Sequence, residues 1–110
     1  MSMTPATAAN ETVILAGTVR FPIEQIDAAL AVMMEMMRLS QAEDGCIEYV
    51  YSHDLIDPEL VHVFEIWRDA AALEAHHDAP HFLQWKQERV DLGMTDRRLF
   101  RYNISAAREA

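Results

Sequence analysis

Within one short stretch the chain sets an acid, Glu65, two residues before an indole, Trp67, and follows them with the imidazoles of His76, His77 and His81. Carboxylates and imidazoles held together can move protons near neutral pH. Histidine titrates there unperturbed, and burial pushes a carboxyl toward the same range. An indole beside them offers a flat apolar wall. The pattern suits removal of a proton from a small molecule. Other chemistries lack their residues: the chain has no glycine-rich phosphate loop, no cysteine pair and no serine nucleophile motif.

Each of these residues also has a plainer use. Glu65 shares its strand face with Val61, Val63 and Trp67, so it needs a partner or a raised pKa. The plain alternative is a salt bridge to Arg68, Arg97 or Arg101. Trp67 at a strand end can simply be core. His76 and His77 are adjacent on a helix, so only one can face inward, and Leu73 lies a helical turn before either. His77 and His81 have the four-residue spacing of metal-binding helices, but Pro80 interrupts them and no HExxH pattern occurs. No metal is expected. Tyr51 and His53 reach the same pocket as Glu65 only if they share its face. The seven methionines read as flexible core filling.

The elements that must position these groups follow from periodicity. Thr12 to Val19 is β-branched and apolar, a strand closed by Pro22. A helix is expected from Ile23 to about Glu43, with Ile26, Leu30, Met33 and Met37 in one stripe. Pro22, Glu24 and Asp27 suit its start, and Gly45 its C′ position. Cys46 to His53 and Leu60 to Trp67 read as a hairpin around Asp57-Pro58. Asp69 caps a helix over Ala70 to His77, Pro80 opens another that Gly93 ends, and Arg97 to Ile104 is the last strand. The order β-α-β-β-α-β predicts an α+β, ferredoxin-like fold with an antiparallel sheet. The third strand is largely apolar on both faces. The sheet face without helices is therefore expected to meet a second copy in a twofold homodimer.

Composition bounds the partners. One domain accounts for 110 residues, and 51% hydrophobic content leaves apolar surface for an interface. A net charge of −9, from 18 acids and 9 bases, disfavours nucleic acid and anionic membrane surfaces. The single Cys46 can form neither an intrachain disulfide nor a cysteine zinc site. Residues 1–11 read as a flexible leader without signal-peptide character, and residues 105–110 as a short tail. With no apolar run long enough to span a bilayer, a soluble cytoplasmic protein is expected.

Asp44-Gly45-Cys46-Ile47-Glu48-Tyr49, then Glu65-Ile66-Trp67, Leu73, His76 and His81-Phe82, come in an order that resembles the antibiotic biosynthesis monooxygenase family. The resemblance covers about Thr12 to Ile104. It implies a dimeric α/β barrel with one pocket per subunit between the helices and a sheet face. It also implies oxygenation, with O2, of a small electron-rich aromatic such as a hydroquinone, without metal, flavin or haem. His76 is the implied base, with Glu65 orienting it or acting in its place, and Trp67, Val63, Leu73, Tyr51 and His53 are the substrate-binding candidates. Trp67 matches an indole of the polyketide-anthrone oxygenases. Where that branch has an amide and a phenol, this chain has Val63 and Leu73. In the haem-degrading branch the ligating histidine falls at Lys86, a poor iron ligand. The alternative to an enzyme is a non-catalytic ligand-binding or stress-response dimer of the same fold.

Overall fold

The computed structural model describes residues 11–110. The leader expected over 1–11 therefore lies, apart from Glu11, outside the described residues. The chain runs β1 (Thr12–Arg20), a single 3-10 turn (Ile23–Gln25), α1 (Ile26–Gln41), β2 (Cys46–His53), β3 (Leu60–Trp67), α2 (Ala70–Asp78), α3 (Pro80–Asp91) and β4 (Thr95–Ile104). The four strands form one antiparallel sheet in the order β2-β3-β1-β4. This is the ferredoxin-like α+β arrangement expected, with the second helical segment divided at Pro80. Residues 105–110 are exposed and carry no regular structure. Among the described residues no helix is long and apolar enough to cross a membrane.

Local chemistry accounts for the boundaries. The Ile23 N–H donates to a Glu59 carboxylate oxygen at 2.8 Å, which ties the start of the first helical segment to the β2–β3 turn. The fully buried stripe of α1 is Ile26, Ala29, Met33, Met36 and Ser40, with Leu30 and Met37 on its flanks. The stripe thus keeps Ile26 and Met33 of the one expected and has Ala29 and Met36 in place of Leu30 and Met37. Asp69 caps α2 as expected, its carboxylate accepting from the Ala72 N–H at 2.9 Å. Helix α1 ends at Gln41, earlier than the sequence suggested. Gly45 instead turns the chain into β2 with φ of +85°. Its carbonyl accepts from the Arg68 N–H at 2.8 Å, and a Cβ there would come within 2.5 Å of the Ala72 Cβ. Gly45→Ala should therefore destabilise the fold by about 2–4 kcal/mol, from backbone strain plus the clash. Urea unfolding tests this, and an unchanged midpoint would refute it.

One face of the sheet is closed by the helices. Val13 and Leu15 of β1, Tyr49 of β2 and Val61, Val63 and Trp67 of β3 are buried there against Met33, Leu73 and Trp85. The other face is open. Ile14 stands between Ile66 and Tyr102, and Ala16 between Phe64 and Phe100, so an apolar band crosses three strands. Phe64, Phe100 and Tyr102 are 38%, 51% and 52% exposed.

Candidate active site

A β-bulge decides which side chains meet Glu65. Cys46 pairs with Trp67, yet Glu48 pairs with Ile66, so the Cys46–Glu48 segment carries one extra residue. Without it, Glu48 would stand opposite Glu65. With it, Tyr49 stands opposite Glu65 and Tyr51 opposite Val63. A shift of one residue exchanges the two faces of a strand, so the bulge replaces a second carboxylate with two phenols on the buried side.

Glu65 is only 5% exposed. Its carboxylate accepts a hydrogen bond from the Trp67 indole N–H at 2.9 Å. Among the described residues no ion pair reaches it. Arg68 bonds Asp44 and Asp69, while Arg101 bonds Asn103. Burial raises the Glu65 carboxyl from 4.5 to about 7, with a small further push from Glu43, against the pull of the Trp67 bond and the Arg97 charge. The carboxyl is thus poised between acid and base near neutral pH.

The Tyr49 and Tyr51 hydroxyls lie 2.7 Å apart, and burial holds both phenols protonated well above the ordinary range. Where Tyr49 donates to Tyr51, the Tyr51 proton is left to donate into the adjoining space. That space is a cleft lined by Glu65, Tyr49, Tyr51 and Val63 at the sheet, by His77, Phe82, Trp85 and Arg89 from the helices, and by Arg97 and Leu99 from β4. Its free volume is about 30 Å³, room for a water or two. An aromatic ligand must therefore displace side chains at the mouth, where His77 and Arg97 are exposed. A larger groove of about 370 Å³ lies between α1 and α3, lined by Glu35, Met36, His81 and Glu88, away from Glu65.

The histidines divide. His77 lines the cleft. His76 is 1% exposed and sits behind it, its ring 4.6 Å from the Trp67 ring, 5.0 Å from Phe82 and 5.3 Å from Tyr49. Its Nδ1 lies 2.6 Å from a Glu43 oxygen that also lies 2.7 Å from His81 Nε2. Burial lowers the His76 pKa and favours the neutral ring, with Nδ1–H donating to Glu43 and Nε2 buried without a partner among the described residues. Glu43, His76 and His81 offer two nitrogens and an oxygen within 4.8 Å, a donor set that suits zinc by type. The contacts are hydrogen-bond lengths, however. Ligation through Nδ1 would also move the His76 proton to Nε2, which has no acceptor. The geometry is that of a carboxylate shared by two imidazoles.

Of the residues singled out from the sequence, Glu65, Val63 and Tyr51 meet at the cleft. Trp67, Leu73 and His76 form the layer beneath it. His53 lies apart, at the end of β2, bonded to the Pro58 carbonyl at 2.7 Å. Tyr49, Glu43 and Arg89 were not among the site candidates, and Arg97 was named only as a possible ion-pair partner of Glu65. Tyr49 was within reach, since it stands two residues from Tyr51 and so shares its face. Glu43 comes from a turn far from α2 in sequence and left no signal.

The sequence pattern that defines the antibiotic biosynthesis monooxygenases matches residues 12–88, and the chain belongs to that family. An uncharacterised Synechocystis protein is 27% identical over 84 residues, covering 76% of this chain and 57% of its own length. A Mycobacterium tuberculosis protein named a "putative monooxygenase" is 34% identical over 65 residues, 59% of this chain and 63% of its own. The chain thus spans only about three fifths of these two relatives. A Deinococcus radiodurans crystal structure, titled a "putative antibiotic biosynthesis monooxygenase", superposes with a TM-score of 0.83 at 26% identity, covering 89% of this chain and 97% of that one.

Proposed function

We propose that this protein is a cofactor-independent monooxygenase that oxidises a small electron-rich phenol, of the hydroquinone type, with O2. The observation that carries the reading is Glu65: a buried carboxyl held at about 7, facing a cleft with aromatic walls and two phenol donors. Ground-state oxygen is a triplet and reacts slowly with closed-shell molecules. The protein's task is to make the phenol anionic and keep it dry. Ionised Glu65 takes the phenolic proton, and the Tyr51 hydroxyl donates to the oxygen anion. The anion passes one electron to O2, and the two radicals join as a ring peroxide. The proton on Glu65 returns to the peroxide, the O–O bond breaks, and a ring C–H becomes a carbonyl as water leaves. Hydroquinone and O2 thus give hydroxyquinone and water, with no outside reductant.

Glu65 rather than His76 is the base in this reading, because His76 does not line the cleft and its Nδ1 is taken up by Glu43. A non-catalytic binder would have an apolar cleft without an inward titratable group, and Glu65 and His77 run against that. Oxygen uptake with a panel of quinols in the presence of a metal chelator tests the reading. One O2 consumed per quinol without peroxide release is expected. Failure to exceed the uncatalysed rate with every quinol would refute it.

The working unit in this proposal is a homodimer joined through the open sheet faces, in the cytoplasm, the compartment that a lone Cys46 suits. Phe64, Phe100 and Tyr102 are too exposed and too apolar together for a solvent face. Light scattering at micromolar concentration should find a dimer, and Phe100→Asp should shift it to monomer. A monomeric wild-type protein would remove the dimer from the proposal.

A further inference from the structure

Resting on that reading of the cleft, we infer that its substrate carries, beside the phenol, an oxyanion substituent held by Arg89 and Arg97. The chain has only 9 Lys and Arg against 18 acids, so carboxylate partners are abundant. Arg20 and Arg68 each take two and Arg38 takes one. Arg89 and Arg97 line the cleft and make no ion pair among the described residues. Arg89 is half-buried, and both desolvation and the neighbouring Arg97 charge work against its ionisation. Two like charges gathered without an anion, one of them partly out of water, are unfavourable until a ligand completes them.

Glu65 is not that anion. Arg97 attracts it through space, yet the carboxyl stays at about 7 and its hydrogen bond goes to Trp67. The cleft therefore has a polarity gradient. Its floor offers a proton acceptor and phenol donors, which suit a hydroxyl. Beside them it offers two planar guanidinium forks, the half-buried Arg89 near Tyr51 and the exposed Arg97, which suit a carboxylate or a phosphate by paired hydrogen bonds. Arg101 and Lys86 near His77 extend the positive field outward, on a molecule of net charge −9. A ring with a phenol at one end and an oxyanion at the other is oriented by the two ends together.

The test is anaerobic binding, read by quenching of the cleft tryptophan, Trp85. Four probes serve: gentisate, its neutral methyl ester, hydroxyphenyl phosphate and hydroquinone. Charge-assisted hydrogen bonds predict that gentisate or the phosphate binds about ten- to a hundredfold tighter than the ester. Which anion binds tighter identifies the oxyanion. The Arg89→Gln/Arg97→Gln variant should bind the anions no better than the ester, with ester affinity unchanged. Should the double variant misfold, Arg97→Lys, which keeps the charge and loses the fork, should lose most of the preference. Equal affinity of acid and ester in the wild type would overturn the inference, as would a preference that survives in the variants. The two readings fail separately. Oxygen uptake with hydroquinone but no preference for anions sinks the substituent and keeps the oxygenase. An arginine-dependent preference without oxygen uptake keeps the subsite and sinks the oxygenase.

Discussion

Glu65→Gln should give a protein that is both more stable and nearly inactive. The amide cannot accept a proton from the phenol, so kcat/KM should fall by about 10²–10⁴-fold, the usual cost of losing a general base. Its oxygen still accepts from the Trp67 N–H, so the local structure is kept. The stability gain follows from linkage. In the folded chain the Glu65 carboxyl is held at about 7 against an ordinary 4.5. Below pH 4.5 it is protonated in both states and contributes no difference. As pH rises from 4.5 to about 7, the unfolded chain releases a proton that the folded chain keeps, and stability falls. Above about 7 the full penalty, on the order of 3 kcal/mol, is in place. The amide does not ionise and escapes it, so Tm at about pH 8 should rise by roughly 10 °C. Wild-type activity has the opposite sign, rising with pH through about 7 as the base ionises. The groups that face Glu65 are Tyr49 and Tyr51 from β2, Arg97 from β4 and His77 from α2, with Glu43 more distant. Normal turnover by the variant would move the base to His77. Lost activity without gained stability would mean that the cleft hydrates the carboxylate.

The same residue shows how much of the molecule was legible beforehand. Alternation along β3 marks Glu65 as a misfit on an apolar face, and that local signal needs no tertiary knowledge. The β-α-β-β-α-β order, the Asp69 cap and the break at Pro80 are equally local, and all are observed. The facing strand is another matter. Tyr49 meets Glu65 only because of the bulge after Cys46, and no residue type there announces a bulge. The arginines come from α3 and β4, and their approach to the cleft depends on how α3 lies over the sheet. Periodicity says which face of a helix is buried, not what it is buried against. His76 was ambiguous for a related reason. Leu73 sets an inward direction, but the structure distinguishes inward to the core, where His76 lies, from inward to the cleft, where His77 lies.

The two histidines should therefore respond to mutation in opposite ways. His76→Ala should destabilise the fold by about 3 kcal/mol. It removes a ring packed against Trp67, Phe82 and Tyr49 and takes away one of the two imidazole partners of Glu43. His77→Ala, at an exposed position, should stay within about 0.5 kcal/mol of the wild type. Loss of activity in His76→Ala is ambiguous, because Trp67 would lose its support and with it the hydrogen bond that positions Glu65. His76→Phe separates the two explanations. The phenyl ring keeps the stack and abolishes proton transfer, and Glu43 retains His81 as a partner. If His76 only positions Trp67, this variant should keep activity within about tenfold and should keep the rise in activity through about pH 7, since that limb belongs to Glu65. If His76 is the base, the limb should vanish and activity should fall to the Glu65→Gln level or below. A buried neutral imidazole whose one proton is committed to Glu43, and whose other nitrogen faces no donor, is built to hold a position. The phenyl variant should therefore retain the limb.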